Sequence, residues 1–208
     1  MNLLLASSFL VGLVHALAGP DHYIPFIAMA EAGKWSRLKT LSLASFASLL
    51  HVGSSIVIGI AGIGAGKQLL HLARIESVRG TLGGYLLMIV GGIYTLYALY
   101  KHRRPHIHNG LPPANTAKTM AGWTLFSIFV LGPCEPLIPL MFAVLPFGIP
   151  GIIGICLVFT LTTLLAVNAA VIFGTSTLKP IAARFSHSFA HLAGGIAILI
   201  TGITIQFI

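Results

Sequence analysis

The sequence predicts an all-α integral membrane protein of six transmembrane helices. They form two inverted three-helix repeats, and the first helix of each repeat is broken at Gly-Pro. Three observations carry this expectation. Of 208 residues, 56% are hydrophobic and 8% are charged, against about 25% charged in a soluble domain, so a water-solvated fold would lack a surface. Apolar segments recur along the chain, and a hydrocarbon core of ~30 Å needs roughly 20 helical residues to cross. The segments lack the alternation of barrel strands, and lipid offers no partner to an open backbone, which leaves helices.

Taken in order, the spans are expected at about 3–31, 40–63, 81–100, 120–147, 150–175 and 187–208. The first and fourth are interrupted, at Gly19-Pro20 and Gly132-Pro133. The chain therefore divides into a first repeat (1–100), a loop rich in His and Arg (101–118) and a second repeat (119–208). Ala16-Leu17-Ala18 has the look of a signal-peptidase site. Residues 1–14 contain no Lys or Arg, however, so the charged start of a signal peptide is missing and no cleavage is expected. Cys134 and Cys156 both lie within apolar spans, so no disulfide framework is expected.

The formal charge of +8 does not point to nucleic acid, because the basic residues fall in short loops between spans. The first loop holds Lys34, Arg37 and Lys39, the third Lys101, Arg103, Arg104 and Lys118, and the fifth Lys179 and Arg184. The second holds Lys67, Arg74 and Arg79, and the fourth none, so odd loops carry nine and even loops three. The positive-inside rule then puts the odd loops in the cytoplasm and both termini outside. A multi-pass protein of the plasma (inner) membrane is expected.

Internal duplication shows in all three spans of each half. Gly19-Pro20-Asp21-His22-Tyr23-Ile24-Pro25 faces Gly132-Pro133-Cys134-Glu135-Pro136-Leu137-Ile138-Pro139, with one residue inserted. Leu49–Gly59 faces Leu164–Gly174, and Gly83-Gly84 with Gly91 matches Gly194-Gly195 with Gly202. The offsets are 113, 115 and 111, a nearly constant register. Three spans per half force the second half to enter the membrane from the opposite side. Transporters of that design place the substrate between the repeats near the midplane, where matching helices are interrupted.

The chain has four acidic residues, Asp21, Glu31, Glu76 and Glu135, and two of them sit at the two breaks. A lone carboxylate in a bilayer costs about 2.5–3.5 kcal/mol on insertion scales, so ionisable residues within spans mark functional sites by default. His15, His22, His51 and Cys134 stand around Asp21 and Glu135. His15 and His22 are seven residues apart, nearly two helical turns, so they can share a face. Imidazole, carboxylate and thiolate together suit nickel, cobalt or zinc better than the oxygen-seeking magnesium or calcium. Blander roles stand beside this one: His51 as a helix–helix hydrogen bonder, Asp21–His22 as an ion pair or proton relay, and Cys134 as a packing residue. His102, His106 and His108 in the third loop suit either metal or anionic lipid.

The spacing His15-Ala-Leu-Ala-Gly-Pro-Asp21-His22 resembles the first-helix signature of nickel/cobalt permeases, one residue longer than the usual His-x4-Asp-His. Leu50-His51-Val52-Gly53-Ser54-Ser55 resembles their second-helix histidine motif. Overall size, the histidine-bearing central loop and Gly132-Pro133-Cys134-Glu135-Pro136 are similar to small UreH-like and TauE-like membrane proteins of the wider LysE-type superfamily. The resemblance implies transport of a divalent transition-metal ion, nickel or cobalt first, at a site of His15, Asp21, His22, His51, Cys134 and Glu135. The ion is cargo, so no cofactor and no enzymatic activity are expected. Beyond the ion and the lipid bilayer, the expected partners are a cytoplasmic metallochaperone or a coupling ion.

Three other functions compete. A CcdA/DsbD-like thiol–disulfide carrier needs a partnered pair of thiols, and the first break has none. A sulfite-type anion exporter would meet two carboxylates at its breaks. A non-transporting assembly factor for a metalloenzyme is the third. Gly62-Ile-Gly-Ala-Gly-Lys67 lacks the spacing of a phosphate loop, so no nucleotide site is expected.

Overall fold

A computed structural model of the chain describes residues 1–103, 132, 134–182 and 187–207. All regular structure among them is helical. Helix α1 (Asn2–Ala18) ends at Gly19 and is followed by a 3-10 turn, Pro20–His22, and by α2 (Ile24–Gly33). The remaining helices are α3 (Arg37–Gly64), α4 (Leu69–Arg103), α5 (Leu137–Ala143), α6 (Gly148–Ala182) and α7 (His187–Ile205).

Among the described residues, three helices are long and apolar enough to cross a membrane: Arg37–Gly64, Leu69–Tyr100 and Leu145–Thr177. The pair Asn2–Ala18 and Pro20–Glu31, bent by 78° at the break, makes a fourth if it is one span. The described apolar stretch of α7, His191–Ile205, is shorter than a full crossing. The expected fourth span lies largely outside the described residues, as do His106 and His108. Large apolar side chains such as Leu3, Val57, Leu70, Leu165 and Phe173 point outward, as a lipid-facing surface requires.

Local chemistry sets the ends of these helices. Lys34 adopts the left-handed conformation that closes α2 (φ 48°), and its neighbour Trp35 stacks beneath the Lys39 ammonium at 4.6 Å. Ser36 then caps α3, its hydroxyl accepting from the Lys39 N–H. Past the far end of α3, Gly66 (φ 66°) lets the Lys67 N–H return to the Gly62 carbonyl at 2.9 Å.

One boundary departs from the sequence reading. α4 starts at Leu69, not near 81, so Arg74 and Arg79 belong to a helix and not to the second loop. Charge argued for a loop, but Arg79 neutralises the fully buried Glu76 one turn away. By the same helix bounds Arg37, Lys39, Lys101, Arg103 and Lys179 of the odd loops also fall within helices, so what distinguishes Arg79 is its pairing with a buried carboxylate.

Among the described residues, the most extensive helix–helix contact joins α4 to α7, antiparallel, through small residues. A Cβ on Gly202 would meet the Gly84 carbonyl oxygen at 2.9 Å and the Met88 amide at 2.6 Å. Close approach of backbones at small residues is how helices associate when lipid removes the hydrophobic drive. Shifting by 111 residues turns the Gly84–Gln206 approach into Gly195–Thr95, and Gly91–Leu199 into Gly202–Met88. Two apolar clusters make up the core, the first of which includes Leu87 of α4 and Ile198 of α7. One joins Ala16, Phe26, Ala47, Leu87, Val167 and Ile198, and the other joins Val52, Cys134, Leu137, Met141, Ile155 and Phe159.

Candidate metal centre

The break after α1 builds the first half of the site. Gly19 carries no side chain, and a Cβ there would run into the His22 ring. The ring therefore folds back, and its Nδ1–H donates to the Gly19 carbonyl at 2.9 Å, with Asp21 Oδ1 at 3.3 Å. A proton held on Nδ1 leaves the lone pair of His22 on Nε2. His22 Nε2 lies 3.3 Å from His51 Nε2, which reaches across from the middle of α3. His15, from the last turn of α1, closes the group. Its ring centroid is 4.8 Å from that of His22 and 5.9 Å from that of His51. Phe159 of α6 walls the far side, 6.0 Å from His15.

One potential ligand atom from each of His15, His22 and His51 lies within 4.8 Å of the other two. Two nitrogens at ~2.0–2.1 Å from a tetrahedral ion stand ~3.3 Å apart, the distance between the His22 and His51 Nε2 atoms. His15 Nε2 and His51 Nδ1 are buried without a hydrogen-bond partner. Buried polar atoms are rarely left unsatisfied, and His15 Nε2 is such an atom on a ring of the cluster, whereas His51 Nδ1 lies on the other side of its ring from the Nε2 that faces His22. His22 and Asp21 repeat the arrangement in which a carboxylate fixes the tautomer and orientation of a metal-ligating imidazole. The residues fit a borderline transition-metal ion.

The remaining residues expected at the site fall in different places. Glu135 is exposed and lines a cavity of about 410 Å³ together with His15, Asp21, His22, Ser77 and Thr81. Both break carboxylates thus face one space. Cys134 is fully buried in the apolar cluster with Val52 and Phe159, and the compact group of potential ligands does not include it. Cys156 packs in the same cluster. His71 is exposed, and His191 bonds Tyr94 between α4 and α7, away from the cluster.

Two ionisable residues beside the site were not recognised in the sequence as intramembrane. Glu76 Oε1 accepts from Arg79, and Glu76 Oε2 accepts from the Ser55 hydroxyl and the Cys134 N–H, each at 3.1 Å. Arg79 also donates to Ser54 and Ser55. The readable signal was the i, i+3 spacing of opposite charges in a chain with only four acidic residues. No protein family, characterised protein or solved structure matches this chain.

Proposed function

We propose that the chain carries a divalent transition-metal ion across a membrane, with His15, His22 and His51 as the intramembrane ligands. The observation that supports this reading above all others is the convergence of three imidazoles within 4.8 Å, two of them with orphaned nitrogens. Ionisable groups in a bilayer are expensive and mark pathways. Asp21 holds His22 in its ligating tautomer, and Glu135 receives the hydrated ion in the cavity that leads to the cluster. Nickel and cobalt are the first candidates, because imidazole suits them and because His15, Asp21 and His22 resemble the motif of nickel/cobalt permeases.

The architecture in this reading is the six-span inverted repeat. Support comes from the antiparallel α4–α7 pair, whose close contacts recur after a shift of 111 residues, the offset of the glycine repeat in the sequence. The odd loops are cytoplasmic and both termini outside, in a plasma (inner) membrane. The thiol–disulfide reading draws less support, since Cys134 and Cys156 are both buried and exchange needs an accessible thiolate.

Uptake of radioactive nickel or cobalt into vesicles reconstituted with the purified protein tests the proposal. Wild-type protein is expected to accumulate the ion above empty vesicles, and His22→Ala to fall to background at equal incorporation. Uptake by His22→Ala equal to wild type would remove the histidine cluster from the pathway.

A further inference from the structure

The pair Glu76–Arg79 lies at the centre of a buried network that the metal site does not use. From α4, Arg79 reaches Ser54 on α3, and Ser54 in turn donates to the carbonyl of His51 at 2.7 Å. The same guanidinium donates to the carbonyl of Gly132 at 3.4 Å, and Glu76 accepts from the amide of Cys134. One ion pair thereby holds the helix that carries His51 and the backbone of the second break. Glu135 follows directly on that held backbone and faces the cavity of the histidine cluster.

We propose that Glu76 and Arg79 are positioning residues that lock the Gly132 carbonyl and the Cys134 amide to α3, so that Glu135 is held over the cavity leading to His15, His22 and His51. Neither residue lies among the potential ligand atoms of the cluster. Their chemistry suits holding and not binding: a planar guanidinium satisfies several acceptors in a fixed fork, which a lysine ammonium does not reproduce. The carboxylate is already saturated by three donors, leaving little for an ion. The functional half of the proposal, that the lock governs passage of the ion, rests on the metal-transport reading. The structural half does not.

Cys134 supplies a readout that is independent of any metal, because its amide is locked and it is fully buried. With Cys156→Ala it becomes the chain's one cysteine. Alkylation by N-ethylmaleimide is measured in vesicles for that background and for Arg79→Lys, Glu76→Gln and Ser54→Ala added to it. Ser54→Ala removes one hydroxyl and no charge, so it remains informative if the charge variants fail to fold, which gel filtration reports. The background is expected to react slowly, Arg79→Lys at least tenfold faster, and Ser54→Ala in between. Equal slow reaction in every folded variant would overturn the lock.

Metal affinity and uptake are then measured on the same proteins with nickel alone. Arg79→Lys is expected to keep its affinity within threefold and to lose at least tenfold in maximal uptake rate, with little change in KM. Unchanged uptake, or a loss of affinity as large as the loss of rate, would overturn the positioning role. If the background protein neither binds nor carries nickel, the metal reading falls, while the alkylation rates still decide whether the lock exists.

Discussion

His22 is gripped on one ring nitrogen and offered on the other. The Gly19 carbonyl and Asp21 hold Nδ1, and Nε2 faces His51. Asp21→Asn preserves shape and removes the charge that orients and polarises the ring. Loss of such a partner typically costs 10–100-fold in metal affinity, so titration of purified Asp21→Asn is expected to give nickel binding weaker by about that factor, with the fold intact. Binding at wild-type strength would make Asp21 a structural ion pair. His15, Asp21 and His22 were legible because their spacing and intramembrane position are unusual, and His51 because a histidine interrupts an apolar span. The place of Cys134 was not legible. Its proximity to Glu135 in sequence says nothing of the direction of its side chain, which lies in the apolar cluster with Val52 and Phe159. Ser54 and Ser55 carried no signal, since hydroxyls are common in membrane helices and only the arrival of Arg79 gives them a role.

At the scale of helices, α4 and α7 meet through backbone, and the glycines decide how closely. A side chain on Gly202 would press on the Met88 amide and the Gly84 carbonyl, neither of which can rotate away. Overpacking of this kind costs typically 1–3 kcal/mol. Gly202→Val is therefore expected to lower the unfolding midpoint in detergent, whereas Gly53→Ala, where an added Cβ meets nothing within 4 Å, is expected to leave it unchanged or slightly raised. Equal effects of the two would show that the α4–α7 contact is not a stabilising interface. The glycine repeat was visible in the sequence, and so were the helix bodies, because a membrane span is an uninterrupted apolar run. The start of α4 was hidden, because charge normally marks a span end and here a buried Glu76–Arg79 pair cancels that signal.

For the whole molecule, the proposed orientation follows from the basic residues. Arg79 pairs with the buried Glu76 and so gives no loop charge, and the proposed cytoplasmic odd loops rest on the remaining basic residues. Single cysteines placed at Lys34 and at Lys67, in a background without Cys134 and Cys156, are expected to react with a membrane-impermeant maleimide from opposite sides, Lys67 from outside. Labelling of both from one side would contradict the three-span halves. The overall class was legible from composition alone, whereas the arrangement of the halves depends on long-range contacts that composition does not encode. Three imidazoles holding one ion form the centre of the proposed site, and X-ray absorption of the nickel- or cobalt-loaded protein tests this most directly. The predicted first shell is nitrogen and oxygen at ~2.0–2.1 Å with the outer-shell scattering of two or three imidazoles and no sulfur near ~2.3 Å. A sulfur shell would place Cys134 on the ion, and a shell without imidazole would contradict the histidine centre altogether.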